Sequence, residues 1–185
     1  MDTATLGKVL VEDADGKRVP LGSFWQDSDA LLVFVRHFAC NGCSEHVTEL
    51  APRLAELAAL GIRTVIVGCG NPTYIPDFVQ RQRLDDKPIT VVTDPSLAAH
   101  AAAGLIRSVW GTLGPRALVG VFGAIVRGHP HGSPQGDRYQ QGGTLLVRRG
   151  GAVAFHHESA RLGDHAALVE VIDAALALRA SEALV

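Results

Sequence analysis

The sequence has little of what would place it in several large protein classes. It has no basic excess: 17 lysines and arginines against 19 aspartates and glutamates give a net charge of −2 over 185 residues. A nucleic-acid binder working through bulk electrostatics shows the opposite balance. Only three cysteines are present, far too few for a disulfide scaffold, and their odd number leaves at least one thiol unpaired within the chain. No stretch is both long and uncharged enough for a bilayer span, which needs about 20 apolar residues. The most apolar segment, 105–126, is broken by Arg107, Gly111, Gly114, Pro115 and Arg116. The first residues hold no basic segment followed by an apolar core, so no signal peptide is expected. The expectation is a soluble, cytoplasmic protein with no membrane or nucleic-acid partner, whose isolated thiols stay reduced unless they cycle. Internal repeats and linkers are also lacking. At roughly 150 residues per domain, a single domain over 1–185 is expected.

What is present is a hydrophobic content of 47% with only 19% charged residues, which excludes disorder over most of the length. Residues 9–12 and 18–21 flank an Asp-Ala-Asp-Gly turn and predict an N-terminal β-hairpin. The continuous apolar run over 30–37 suits a central strand buried on both faces. A helix follows, with Val47, Leu50, Leu54, Leu57 and Ala58 on one face, a kink at Pro52 and a stop at Gly61. Strands are expected at 62–68 and 89–93, with a helix over 76–84 between them. Asp94 and Pro95 are placed as cap and first residue of the next helix. Segment 115–126 reads as a helix apolar nearly all round, which needs core burial, a substrate wall or a second copy of the chain. The glycine-rich 128–143 reads as a long loop carrying His129, His131, Asp137 and Arg138. A hairpin at 144–148 and 153–157 and a last helix capped by Asp164, with Leu168, Val171, Ile172 and Ala175 inward, complete the order. This is an α/β fold with a central mixed sheet flanked by helices, an N-terminal hairpin and an inserted helix-loop segment.

Cys40 and Cys43 form a Cys-x-x-Cys where the buried strand feeds a helix. The thiolate is the reactive form, and the unpaired amides and dipole of a helix N-terminus favour it. Two intervening residues let the sulfurs close a small disulfide ring, and in a βαβ context this reads as a redox pair. Two other readings compete: a pair of packed core cysteines, or a zinc set made of His37, Cys40, Cys43 and His46 at spacings of three. Cys69 ends the second parallel strand, on the sheet edge where ligand sites collect. It is either a resolving thiol or a small residue that happens to end a strand. Arg36 and His37 close the first strand beside the pair, where a cation lowers a thiolate pKa and an imidazole moves a proton.

The run from Arg36 to Val47, Arg-His-Phe-Ala-Cys-Asn-Gly-Cys-Ser-Glu-His-Val, resembles the active-site turn of peroxiredoxin-like 2 proteins. That family belongs to the alkyl hydroperoxide reductase/thiol-specific antioxidant branch of the thioredoxin-like superfamily. Residues 136–144, Gly-Asp-Arg-Tyr-Gln-Gln-Gly-Gly-Thr, and the Gly-Asp-His at 163–165 resemble it too, and the order of elements agrees over about 8–178. The resemblance implies a thioredoxin-like fold and a redox thiol. By analogy with thioredoxins the nucleophile is Cys40; by analogy with typical peroxiredoxins, whose motif is Pro-x-x-x-Thr-x-x-Cys, it is Cys43. On the second alignment Arg36 stands in for the proline, Cys40 for the threonine and Gly142 for a later arginine, while Gly143 replaces the cis-proline of thioredoxins.

The expected function is that of a thiol-dependent oxidoreductase. Cys40 and Cys43 reduce a peroxide or a disulfide, with Arg36 and His37 assisting and Cys69 a resolving candidate. Gly142, Gly143 and Thr144 are expected at the substrate rim, where a glycine lets the backbone approach closely. An external thiol restores the dithiol, and no bound cofactor or metal is required. Some members of the resembled family act on an organic endoperoxide, which the apolar 115–126 segment accommodates. The alternative is a non-catalytic binding module whose cysteines are structural or hold zinc.

Overall fold

A computed structural model of the chain describes residues 1–113, 126, 135–161 and 163–182. Its centre is β3 (Asp29–Phe34), in which every residue is buried. The strand pairs in parallel with β4 (Ile62–Gly68) and antiparallel with β6 (Gly143–Val147). With β1 (Leu10–Glu12), β2 (Arg18–Pro20), β5 (Ile89–Thr93) and β7 (Val153–Glu158), the seven-stranded order is β2-β1-β5-β4-β3-β6-β7. The uninterrupted apolar run is thereby explained, because neither face of β3 meets water. The expected hairpins and parallel βαβ unit are present.

Alternation along β3 divides the core into two layers. Leu31 and Val33 face one layer with Val47 and Leu50 of α2 (Asn41–Leu50), Leu54 and Leu57 of α3 (Leu54–Ala59), and Phe78 of α4 (Ile75–Gln82). The C-terminal helix α7 (Leu168–Glu182) adds Val171, Ile172, Ala175 and Leu178. Ala30, Leu32 and Phe34 face the other layer with Leu6 of α1 (Thr3–Lys8), Trp25, and Ala99 of α5 (Ala98–Ala102). Each Val, Leu, Ile or Phe among them contributes roughly 1.5–3 kcal/mol on full burial. Buried Asp29 locks the far end of β3. It accepts the Arg149 amide at 2.7 Å and pairs with Arg179 of α7 at 2.6 Å.

Several expected boundaries shift. Helix α1 was not anticipated. The expected kink at Pro52 is a tight turn over Ala51–Arg53 between α2 and α3. The first central strand ends at Phe34, with one further ladder bond from the Val35 amide to the Val67 carbonyl at 3.0 Å, so Arg36 and His37 lie in the turn beyond it. Asp94 is not the residue before a helix: α5 starts at Ala98 behind Leu97, whose φ of 65° is left-handed. Asp94 still serves backbone amides, accepting from Ser96 at 2.9 Å and from buried Ala99 at 2.7 Å. Nor does Asp164 cap the last helix, which begins at Leu168; its carboxylate accepts the Ala160 amide at 2.8 Å. Of the inserted segment, α6 (Val109–Leu113) is seen, while the helix expected over 115–126 lies outside the described residues except for Val126. Among the described residues no helix is long and apolar enough to cross a membrane.

His100 on α5 joins this scaffold to the chemistry. It is fully buried, its Nε2 lies 3.1 Å from the Val35 carbonyl, and its ring meets Phe34 edge-on at 5.2 Å. Burial pushes its pKa from 6.5 down to about 4, against the smaller opposing pull of the Val35 carbonyl. The unfolded chain therefore takes up a proton near 6.5 that the folded chain refuses until about 4. The stability contributed is complete above the upper value and lost as the pH falls to the lower, about 3 kcal/mol in all. Urea unfolding across that pH window is expected to show a correspondingly smaller loss in His100→Gln than in the parent; an equal loss in both overturns the assignment.

Candidate functional site

The chain leaves β3 at Phe34 and reaches α2 through a turn closed by the Cys40 amide, which donates to the His37 carbonyl at 3.0 Å. Cys40 holds the position immediately before α2, with extended backbone (φ −75°, ψ 121°), and Cys43 lies within the first helical turn. All three cysteines are free thiols. The side chains of Cys40 and Cys43 hydrogen-bond to each other. That bond, followed by burial and the charge of a neighbouring thiolate, pushes the Cys43 thiol well above its ordinary range. Arg36 pulls the other way, through its guanidinium and through its backbone amide, which donates to Cys43 Sγ at 3.3 Å.

Arg36 is buried, and its guanidinium is held by neutral acceptors. Nε donates to the Gln140 carbonyl at 2.9 Å, and Nη2 to Thr112 Oγ1 at 2.8 Å and to the Arg138 carbonyl. None of these cancels the charge, so a cation stays beside the thiols in a low-dielectric setting. Nη1 has no hydrogen-bond partner among the described residues. The same residue's carbonyl accepts from Cys69 Sγ at 2.7 Å. Cys69 thus lies next to the turn, but as a buried donor. Burial pushes its pKa up to about 11. His37 is buried with its carbonyl in the turn, and neither it nor Cys69 lines the cavity described below.

The glycine-rich motif is explained by close approach. A Cβ at Gly142 would stand 2.4 Å from the Phe34 carbonyl oxygen, and one at Gly143 only 2.7 Å from the His157 carbonyl oxygen. Gly136, at φ 143°, packs against Cys69 and His37. Between them Asp137 accepts the amides of Tyr139 at 2.7 Å and Gln140 at 3.2 Å and pairs with Arg107 at 2.7 Å. Asp137 therefore builds the turn and is more than a solvated loop residue. His129 and His131 lie outside the described residues.

A cavity of about 30 Å³ opens beside the pair. Arg36, Cys40 and Cys43 form one wall, Gly142, Gly143 and Thr144 a second, and His46, Asp164 and His165 a third. The volume is close to that of one or two water molecules. The donor atoms of His37, Cys40, Cys43 and His46 do not gather within coordination reach. Among the described residues the converging set is His46, Glu49 and His165. His46 is buried, and desolvation, with His165 and His157 nearby, pushes its pKa to about 3.

Sequence reasoning missed Thr112, Gln140 and Gln141 as supports of Arg36. Gln141 Nε2 donates to Thr112 Oγ1 at 3.2 Å and to the Tyr139 carbonyl at 3.0 Å, and Gln140 Nε2 reaches the Leu105 and Ile106 carbonyls. The available signal was an uncharged amide pair between two turn motifs.

A model of a family described as AhpC/TSA antioxidant enzyme matches residues 49–161. Peroxiredoxin-like 2C of Takifugu rubripes is 31% identical over 180 residues, 84% of this chain and 74% of that protein. Prostamide/prostaglandin F synthase of Aquarana catesbeiana is 30% identical over 165 residues, 85% of this chain and 79% of that protein. Among solved structures, peroxidoxin BcpB from Mycobacterium tuberculosis superposes with a TM-score of 0.63 at 16% identity, over 93% of this chain and 92% of that one. The likeness in structure carries the fold, which is that of peroxiredoxins and thioredoxins.

The three thiols differ in a way that alkylation reads. With its pKa near 11, Cys69 is ionised in only about one molecule in a thousand at pH 8. Iodoacetamide on the folded, reduced protein is expected to leave Cys69 unmodified while the Cys40–Cys43 peptide is labelled, and to reach Cys69 only in denaturant. Labelling of Cys69 first contradicts its place as a buried donor to Arg36.

Proposed function

The chain belongs to the AhpC/TSA antioxidant enzyme family, and from that premise we propose that it is a thiol oxidoreductase reducing a peroxide through Cys40 and Cys43. The observation that carries this reading is the pair of free, mutually hydrogen-bonded thiols at the start of α2, on the wall of a small cavity beside the buried Arg36 guanidinium. In this reading Cys40 is the attacking sulfur, because it stands immediately before the first turn of α2, where unpaired helix amides favour the thiolate. Its thiolate takes the terminal oxygen of the peroxide, the O–O bond breaks, and the leaving alkoxide or hydroxide picks up a proton. The Arg36 guanidinium, in the cavity wall with both cysteines, supplies the positive charge that stabilises that developing oxyanion. The Cys40 sulfenic acid then condenses with the Cys43 thiol, giving the disulfide and water. Two equivalents of an external thiol reduce the disulfide and are themselves oxidised.

The cavity supports a small oxidant, or the exposed –OOH end of a larger one, as the reacting group. The similarity to a protein named prostamide/prostaglandin F synthase supports an organic endoperoxide as the competing substrate class. A protein disulfide is the third oxidant that the same pair serves.

Peroxide consumption with excess dithiothreitol, measured for the parent and single variants, tests this reading. Cys40→Ser is expected to abolish turnover. With dithiothreitol left out, Cys43→Ser is expected to consume one equivalent of peroxide and no more, with a sulfenic acid trapped at Cys40 by dimedone and seen by mass spectrometry. A sulfenic acid at Cys43 in Cys40→Ser reverses the roles. An unmodified pair in folded protein after treatment with hydrogen peroxide, an alkyl hydroperoxide and an endoperoxide makes the chain a non-catalytic module.

A further inference from the structure

The third wall of the cavity is not used by this chemistry, and it has its own composition. His46 and Glu49 stand three residues apart on α2, so they project from one face of the helix. His165 meets them from the segment before α7, more than a hundred residues later in the chain. One nitrogen of each imidazole and one carboxylate oxygen lie within 4.8 Å of one another. His165 Nε2 is 3.3 Å from Glu49 Oε2, and the two rings stack with centroids 4.5 Å apart. His46 is only 6% exposed, yet its Nε2 has no hydrogen-bond partner among the described residues. Buried polar atoms in native proteins are nearly always satisfied, and a place for a bound ion is one of the recognised reasons when one is not.

We propose that His46, Glu49 and His165 form a binding site for a divalent transition-metal ion of the zinc type. Two imidazoles and a carboxylate are the donor set that borderline cations prefer, and three protein ligands leave further positions open towards the cavity. Zinc bonds to such atoms of about 2.0–2.2 Å at the tetrahedral angle place ligand atoms about 3.3–3.6 Å apart. Closure from the observed spread of up to 4.8 Å requires side-chain shifts on the order of 1 Å. Glu49, with half its side chain exposed, and His165, a quarter exposed, are free to make them. The ion would tie α2 to the C-terminal segment and face the same cavity as Cys43. This site differs from the zinc set read from the sequence, because it uses neither cysteine and has two ligands that set did not include. It is independent of the peroxide reading.

The probe is Zn²⁺ alone, titrated against a chromophoric chelator with Cys40→Ser/Cys43→Ser protein, so that thiolates contribute nothing. One equivalent per chain is expected, with a rise in melting temperature on zinc addition. In the same background His165→Asn is expected to weaken binding at least about tenfold and abolish the thermal shift. Glu49→Gln, at a half-exposed position, is expected to weaken it as well and guards against loss of fold at residue 165. Co²⁺ in the parent protein is expected to give visible d–d bands without a thiolate charge-transfer band. Absence of binding in the double cysteine variant with its fold intact, or unchanged affinity in both ligand variants, overturns the site.

Discussion

The buried guanidinium of Arg36 is the contact through which the rest of the site is assembled. The end of β3, the turn into α2, the 138–140 backbone and α6 come from four parts of the chain, and this side chain reaches the last two from the turn. Its own amide and carbonyl meanwhile touch Cys43 and Cys69. A buried cation is tolerable only when its donors are satisfied and it is well solvated by dipoles. Here carbonyls and a hydroxyl provide that solvation. A carboxylate would serve the fold equally well but would neutralise the charge beside the thiols.

The sheet places this residue with little freedom. His100 holds the Val35 carbonyl from one layer, and the Val35 amide continues the ladder to β4. Gly142 brings the start of β6 against the Phe34 carbonyl on the other side. Three constraints thus bracket the two residues before Arg36, and the cysteine turn inherits their rigidity. Such support, built on strands rather than loops, fixes reacting groups more closely than loop placement does.

Much of this was legible in the residues. The apolar run at 30–34, the alternation of α2 and the Cys-x-x-Cys between them specify a buried strand feeding a helix, because one periodicity gives way to the other at the turn. The glycine at 143 was readable as a place of close approach. Other features were not readable, and for a common reason. The acceptors of Arg36 are backbone carbonyls, which carry no sequence signature, and the partner of Glu49 lies 116 residues further along the chain. The roles given to Asp94 and Asp164 as helix caps failed because an aspartate before a helix signals available acceptors, not which amide they will take. Both still accept backbone amides, two to five residues away from them in the chain.

The two kinds of constraint at this site do not age alike. A cysteine at 40 or 43 is exchangeable for serine with almost no change in volume, so selection for chemistry alone keeps it. The Phe34 carbonyl leaves no room for even a methyl group at 142, whatever reaction the protein runs. A chain that lost either thiol would keep its packing, whereas one that lost this glycine would not. A descendant without either cysteine remains recognisable by an empty space that its packing still demands.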